Sequence, residues 1–241
     1  MLETTSLAII VTIAGFLQGL TGFGFGLITL PLLGLFFDIK TIIPLVVMLA
    51  LCISLIQTFQ FRKAIKLKDI YILIAATVPG IPLGVYTLKQ IPAETLAIGL
   101  GVLMIVFTTY QLLTKPAPRL LGLSSTILAG LSSGILGGSI GAGGPPVIVY
   151  STLQPWSKDQ TKATLAFYFS ISGMIISITH AYTGLITQQV RHLFLISLPT
   201  LAIGIFLGTL AYTRISDRGY KRLALIIVFF LGCMLLYRNI F

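Results

Sequence analysis

Two apolar stretches, residues 6–37 and 122–154, each exceed thirty residues and are interrupted repeatedly by glycine. A single spanning helix needs only about 20 residues, so each stretch is either a long tilted helix or two shorter arms joined by a bend. The stretches share one pattern, because five positions of the first fall on a glycine or proline 115 positions later without a gap: Gly15, Gly19, Gly22, Gly26 and Pro31. Duplicated, discontinuous membrane segments of this kind are typical of the binding sites of secondary transporters.

The composition excludes a soluble fold. Hydrophobic residues make up 56% and charged residues 9% of the 241 residues, whereas soluble domains carry about 25% charged residues. Six further apolar segments have the length of one spanning helix: 41–60, 70–88, 92–113, 161–181, 190–212 and 220–237. The sequence therefore predicts an all-α polytopic membrane protein. Its net charge of +10 comes from basic residues that flank membrane helices, so the expected partner is membrane lipid and not nucleic acid.

The sixteen lysine and arginine residues indicate how the long stretches cross the membrane. If every apolar segment crosses once, eight basic residues lie on each side and no positive-inside bias remains. If both long stretches enter and leave on the same side, twelve share one side, as expected of a multi-pass protein of a bacterial inner membrane. Two full crossings per stretch would give the same count, but an arm of about 14 residues reaches only about 21 Å, which favours re-entrant arms. The four basic residues on the minority side are Lys40, Lys89, Arg191 and Arg238.

This count predicts six spanning helices plus two glycine-broken re-entrant hairpins, arranged as an inverted repeat. Residues 1–115 would hold the hairpin 6–37 and three spanning helices, and residues 122–241 the hairpin 122–154 and three more. Three crossings are an odd number, so the halves would have opposite orientations, as in many secondary transporters. The duplication continues in later helices, where Gly80-x-x-x-Gly84 matches Gly204-x-x-x-Gly208.

With its length, its duplicated stretch (Gly15 to Pro31 and Gly130 to Pro146) and these glycine pairs, the chain resembles the TauE/SafE family of sulfite exporters and related small-anion permeases. The resemblance covers essentially the whole chain. It implies a membrane transporter for a small anion such as sulfite or an organosulfonate, and it supplies no residue-level binding signature.

The bends themselves are the predicted substrate site. A hairpin tip leaves backbone N–H groups unpaired, so it must be buried in protein or line a wet cavity. Gly143-Gly144-Pro145-Pro146 is typical of a helix start, and the helix to Thr152 would point its positive end at the tip. A counterpart from about Gly26 to Phe37 would converge on it near the midplane and form an anion site without a buried cation. The residues predicted to bind substrate there are Gln18, Thr21, Gly22, Gly24, Gly26, Gly138, Ser139, Gly141, Gly143 and Gly144.

Two further substrate-binding candidates, Gln57 and Ser170, lie inside equivalent helices of the two halves. An amide needs several partners, whereas a helical serine often bonds a carbonyl of its own helix instead. Another set of glycines is expected to pack helices closely and not to bind substrate. These are the pairs Gly15/Gly19, Gly80/Gly84, Gly130/Gly134 and Gly204/Gly208.

No cofactor and no metal site are expected. All six acidic residues lie near segment ends, so no carboxylate is available at mid-membrane to couple transport to protons or sodium. Cys52 and Cys233 lie inside apolar runs as core residues. The basic residues are expected to be peripheral, and His180 to lie at the interface near a helix end.

Two other classes of protein fit parts of the sequence. Gly137-Gly138-Ser139-Ile140-Gly141 satisfies the G-x-S-x-G pattern of serine hydrolases, here in the form of an intramembrane hydrolase. That motif needs a strand-to-helix turn, however, and no strand is predicted. A non-transporting membrane scaffold would give no reason for broken helices. The sequence therefore favours a transporter and not an enzyme.

Overall fold

The computed structural model describes residues 2–114, 121–212 and 217–240. Within these ranges the chain has ten α-helices, one short 3-10 helix (Arg62–Ala64) and no strand, which confirms the all-α prediction. The helices are α1 (Leu2–Thr21), α2 (Phe25–Leu33), α3 (Ile39–Phe61), α4 (Leu67–Gln90), α5 (Ala93–Leu113), α6 (Leu123–Ile140), α7 (Gly144–Thr152), α8 (Lys158–Tyr182), α9 (Gln188–Tyr212) and α10 (Asp217–Ile240).

Eight helices within the described ranges are long and apolar enough to cross a membrane. The other two, α2 and α7, have nine residues each and reach about 14 Å, roughly half of a bilayer core. Large apolar side chains on the outside of the bundle are exposed, among them Phe206 at 69% and Leu83 at 57%. An exposed surface of this kind suits lipid tails and not water, as a multi-pass membrane protein requires.

Each long stretch contains one helix break, which lies after a first helix of 18 to 20 residues. α1 runs for 20 residues before its break at residues 22–24, and α6 for 18 residues before its break at 141–143. The expected arms of about 14 residues are therefore wrong, because each stretch has a long first arm of spanning length and a nine-residue second arm. The earlier glycines do not break the helix because most of them face a neighbouring helix instead.

Glycines join the helices in two pairs, α1 with α9 and α6 with α4. A methyl group built on Gly15 would lie 3.6 Å from the Cα atom of Gly204, and one on Gly19 would lie 3.0 Å from that of Gly208. The contacts advance together along both helices, so α1 and α9 run parallel. The α4–α6 pair repeats the arrangement with Gly80, Gly84, Gly134 and Gly138. This confirms the packing role predicted for Gly80, Gly84, Gly134 and the glycines of α1 and α9. Gly138, which was predicted to bind substrate, packs in the same way.

The two broken stretches match in a different register from the gapless sequence alignment. α1 and α6 end 119 positions apart, and α2 and α7 begin 119 positions apart, in place of the expected 115. The same offset carries Gly15 onto Gly134, its counterpart in helix packing, and Gly22 onto Gly141, its counterpart in the break. The difference of four residues is about one helix turn. Because glycines recur at every fourth position in both stretches, a sequence alignment shifted by one turn matches almost as many glycines as the structural register does.

α4 and α8 pack against each other, and contacts near their ends define two ends of the bundle. At one end the backbone N–H of Lys66, just before α4, donates to the Thr164 hydroxyl at 3.0 Å. At the other end the Lys89 ammonium, in the last turn of α4, donates to the carbonyl oxygen of Thr183 at 3.2 Å. We call these the Lys66 end and the Lys89 end. α3 begins at the Lys89 end, where Lys40 donates to the carbonyl oxygen of Lys89.

Candidate functional site

A cavity of about 100 Å³ lies where the two broken stretches meet, beside the middle turns of α3 and α8. The two stretches contribute Gln18, Phe23, Gly24, Phe25, Gly26, Leu27, Ser133, Gly137, Gly141, Ala142, Gly143, Gly144 and Ile148. Helix α3 contributes Val47, Ala50, Leu51 and Ser54, and helix α8 contributes Phe169, Ser172, Gly173 and Ile176. None of these lining residues carries a charged side chain. The cavity has room for several water molecules or one small ion.

The breaks depend on glycine at three positions. The φ angles of Gly22, Gly24 and Gly141 are +82°, +100° and +67°, in the left-handed region that disfavours a side chain. The breaks touch, because a methyl group built on Gly26 would lie 3.1 Å from the carbonyl oxygen of Gly141. A methyl group on Gly24 would meet nothing within 4 Å, so the backbone is accessible there. Both nine-residue helices therefore begin at one cavity.

Amide side chains hold the first break. The Gln18 carbonyl group (Oε1) accepts a hydrogen bond of 2.9 Å from the backbone N–H of Phe25, the first residue of α2. Gln57 donates its Nε2 to the backbone oxygen of Gln18 at 3.1 Å. The Oε1 atom of Gln57 is buried and has no partner among the described residues. Gln18 thus fixes the start of α2, and Gln57 fixes the end of α1.

Hydroxyl side chains hold the second break. Ser133 of α6 donates to the carbonyl oxygen of Gly143 at 2.6 Å, which ties the helix to the start of α7. Tyr168 donates to the Ser133 hydroxyl at 2.8 Å and lies 2.6 Å from the hydroxyl of Thr77 on α4. All three side chains are at least 97% buried. The second break is therefore positioned from α4, α6 and α8 together.

Six of the twelve residues predicted to bind substrate line the cavity: Gln18, Gly24, Gly26, Gly141, Gly143 and Gly144. Thr21 ends α1, and its side chain lies outside the described residues. Gly22 faces a side chain and not the cavity, since a methyl group built on it would lie 3.0 Å from Cγ of Lys162. Gly138 packs against the backbone of α4, where the nearest atom is the carbonyl oxygen of Ile81 at 2.6 Å.

The remaining three predicted residues bond other parts of the protein. Gln57 holds Gln18, as described above, and Ser170 bonds the carbonyl oxygen of its own helix at Ala166 and lies 2.9 Å from the Thr58 hydroxyl. Neither Gln57 nor Ser170 lines the cavity, whereas Ser54 and Ser172 on the same two helices do. Helical position alone does not show which face meets the breaks.

Ser139 is placed where it cannot act as a hydrolase nucleophile. Its hydroxyl donates to the carbonyl oxygen of Ile135 in the preceding turn at 2.7 Å, and its residue belongs to the continuous helix α6. The strand that a nucleophile elbow requires is absent from the described ranges. The two glycines of the G-x-S-x-G match, Gly137 and Gly141, line the cavity, and Gly141 caps the end of α6.

Two basic residues that were expected at the periphery are buried. Lys162 is 4% exposed and donates its ammonium to the carbonyl oxygen of Gly19 at 2.8 Å. His180 is fully buried, and its Nε2 atom lies 3.3 Å from the carbonyl oxygen of Gly138. Both lie near the ends of α8, as expected. They are nevertheless buried, because the ends of α1 and α6 have carbonyl groups without helical donors, which these basic side chains satisfy.

Comparisons with known proteins cover nearly the whole chain. A family model described as "Sulfite exporter TauE/SafE" matches residues 7–235. A curated relative from Cupriavidus necator, named "Probable sulfite/organosulfonate exporter TauE", is 24% identical over 229 residues, which are 92% of this chain and 89% of the relative. No solved structure matches the chain. The matched range begins in α1 and ends in α10, so it includes both breaks.

Proposed function

Because the chain belongs to the sulfite exporter TauE/SafE family, and is therefore a membrane transporter and not an enzyme, we propose that it carries a small anion through the cavity between its helix breaks. The proposed substrate is sulfite or an organosulfonate, the class named for the relative from Cupriavidus necator. Backbone N–H groups at the starts of α2 and α7 bind the anion, and no buried cation is needed.

One observation carries this proposal: two helices begin at a single cavity whose lining residues include no charged side chain. The first N–H groups of a helix have no intrahelical partner, and the helix dipole places about half a positive charge there. Two such ends together favour an anion of low charge. In α7 this leaves the N–H of Gly144 as a main donor, because Pro145 and Pro146 have none.

Polar side chains would complete the site without adding charge. Gln18, Ser54, Ser133 and Ser172 line the cavity alongside the helix starts. The Gln18 amide and the Ser54 hydroxyl can donate to the oxygen atoms of sulfite or of a sulfonate group. The hydroxyls of Ser133 and Ser172 instead donate to the carbonyl oxygens of Gly143 and Tyr168. The apolar residues around them, such as Phe23 and Phe169, exclude water and strengthen these hydrogen bonds.

We also propose that the two stretches are re-entrant hairpins. α1 runs parallel to α9, which begins at the Lys89 end, and α2 leads back to the start of α3 at that same end. α6 runs parallel to α4, which begins at the Lys66 end, and α7 leads back to the start of α8 there. Each stretch therefore begins and finishes at one end of the bundle, even though its first arm has spanning length.

The same contacts support an inverted repeat of residues 1–115 and 122–241. The fourth helix of each half packs on the first helix of the other half, because α4 contacts α6 and α9 contacts α1. The basic residues follow this arrangement. Lys40 and Lys89 meet at one end, where Arg238 also donates to the carbonyl oxygen of Gly34 at 2.8 Å. The Lys66 end, which holds the larger number, would face the cytoplasm of a cell with this protein in its inner membrane.

Uptake by proteoliposomes tests the proposed function. The purified protein is reconstituted and offered sulfite, a small organosulfonate, sulfate, acetate and chloride, at varied pH and sodium concentration. Saturable uptake of sulfite or the organosulfonate is expected, above that of protein-free vesicles. Failure to move any of these anions would overturn the proposal.

A cavity variant then tests the location of the site. In Gly144→Ala the added methyl group would lie 3.4 Å from Ile148 and 3.9 Å from Phe169, so the fold accommodates it while the cavity shrinks. Uptake should fall at least several-fold, because the methyl group covers the N–H donors of α7. Gly99→Ala on α5 is the matched control, since its methyl group would meet nothing within 4 Å. Unchanged uptake in Gly144→Ala would place the anion elsewhere.

A further inference from the structure

Helix α8 carries two buried basic side chains, one near each end. Lys162 is 4% exposed and His180 is fully buried, and no other Lys, Arg or His whose side chain the structure describes is buried. At 1.5 Å per residue their positions lie about 27 Å apart along α8. The part of α8 that lines the cavity, from Phe169 to Ile176, lies between them. Each basic residue is therefore beyond the cavity, toward a different end of the bundle.

The two side chains make equivalent contacts. Lys162 donates to the carbonyl oxygen of Gly19, two residues before the end of α1. The Nε2 atom of His180 meets the carbonyl oxygen of Gly138, two residues before the end of α6, and must carry the proton in this contact because a carbonyl oxygen only accepts. The last carbonyl groups of a helix lack helical donors and form its negative end, so a basic side chain stabilises each of them.

Lys162 also contacts the first break. Its ammonium lies 4.9 Å from the centre of the Phe61 ring, and its Cγ atom would lie 3.0 Å from a methyl group built on Gly22. The stem of Lys162 thus covers the break between α1 and α2 on the side of the Lys66 end. His180 is held less firmly, because its contact is longer, at 3.3 Å, and its Nδ1 atom has no partner among the described residues.

From these contacts we propose that Lys162 and His180 are two latches that close the cavity at opposite ends. The Lys162–Gly19 latch holds the end of α1 and closes the Lys66 end, and the His180–Gly138 latch holds the end of α6 and closes the Lys89 end. Release of one latch frees the adjoining break to move while the other end stays closed. Both are positioning residues, and the inference rests on the proposed role of the cavity as the transport site.

Side-specific cysteine labelling tests the latches without any substrate. Cys52 and Cys233 are replaced by alanine, and the cavity residue Ser172 is changed to cysteine as the reporter. A membrane-impermeant thiol reagent is then applied to inside-out and right-side-out vesicles. The variants are Lys162→Met, which keeps the length of the side chain without a donor, and His180→Leu. The matched controls are Lys63→Met and His192→Leu, because Lys63 and His192 are exposed.

The expected result is a change on one side only. In Lys162→Met the labelling rate of the reporter from the Lys66 end should rise about tenfold, because loss of a charge-assisted hydrogen bond shifts a two-state equilibrium by about that factor. Labelling from the Lys89 end should stay unchanged or fall. His180→Leu should show the opposite asymmetry, with a smaller rise, and His180→Gln, which keeps an N–H donor, should restore the labelling of the parent protein.

Equal changes on both sides, or no change on either, would overturn the proposal and leave Lys162 and His180 as ordinary helix caps. If Lys162→Met does not fold, Lys162→Gln takes its place, with the same direction and a smaller rise expected. The result is separate from the uptake measurement: transport through the cavity without asymmetric labelling rejects the latches alone. If labelling is asymmetric but the protein transports none of the tested anions, the latches are supported and the proposed substrate class is rejected.

Discussion

The hydroxyl group of Ser133 lies 2.6 Å from the carbonyl oxygen of Gly143, which fixes the break between α6 and α7. The same hydroxyl accepts a hydrogen bond from Tyr168 at 2.8 Å. Both side chains are buried, so a variant that removes one partner leaves a polar group unsatisfied at a cost of about 1–3 kcal/mol.

We therefore expect Tyr168→Phe and Ser133→Ala each to lower the free energy of unfolding by about 1–2 kcal/mol. The double variant should lose less than the sum, because both changes remove the same bond. Denaturant unfolding in detergent micelles measures these values. Ser132→Ala is the control, since the Ser132 hydroxyl bonds carbonyl groups of its own helix. Strictly additive losses would show that the two hydroxyls act independently.

The helix-packing glycines should differ in their tolerance of alanine, although they occur in the same Gly-x-x-x-Gly pattern in the sequence. A methyl group on Gly80 would lie 2.5 Å from the carbonyl oxygen of Leu131, whereas one on Gly15 would lie 3.5 Å from that of Leu201. Gly80→Ala should therefore destabilise the protein by about 1–3 kcal/mol through overpacking. Gly15→Ala should be neutral or stabilising, because alanine favours a helix.

The midpoints of thermal unfolding of the two variants are compared, with size-exclusion chromatography as the measure of the folded fraction. A lower midpoint for Gly15→Ala than for Gly80→Ala would contradict the packing distances.

No single carboxylate should be essential to transport. The side chains of Glu3, Asp38, Glu94 and Asp159 are exposed, and none lines the cavity; those of Asp69 and Asp217 lie outside the described residues. Replacing each of the six by its amide should leave substantial uptake in proteoliposomes. Asp159→Asn is expected to change the rate without stopping transport, because the Asp159 side chain is exposed and a charge interaction at an exposed site contributes only about 0–1 kcal/mol. Loss of uptake in a well-folded amide variant would reveal a carboxylate relay.

Both ends of the chain should face away from the cytoplasm. Single cysteines at Glu3 and Ile240 should react with an impermeant reagent from outside the cell, and one at Lys63 only from inside. All three are placed in a chain that lacks Cys52 and Cys233. If the cysteines at Glu3 and Ile240 reacted from opposite sides, both the re-entrant hairpins and the inverted repeat would be ruled out.

Local features of the sequence predicted most of the fold. Apolar length predicted the helices, and glycine spacing predicted the faces that pack. The breaks lie within the bends predicted at residues 21–26 and 138–144. Which glycine within each bend ends its helix was not predicted, because a glycine at φ +67°, such as Gly141, has the same letter as a helical one that faces α4. Whether a glycine breaks a helix depends on the neighbour that it meets.

The candidate site was predicted in part for the same reason. Gly24, Gly141 and Gly143 of the breaks line the cavity, but Ser133, which also lines it, has no distinguishing pattern in the sequence. Lys162 lies in the second turn of α8, where the sequence shows only a basic residue near a segment end. Its burial follows from the end of α1, a contact between residues 143 positions apart.

The exchanged packing of α1 on α9 and α4 on α6 constrains how the protein is made. A ribosome delivers α1 and α4 to the membrane well before their partners exist. Until then their glycine faces contact lipid, which does not fill the grooves that another helix will occupy. The first half is therefore loosely packed at that stage, and packing of the bundle is complete only when α9, the last of these four helices, has been inserted.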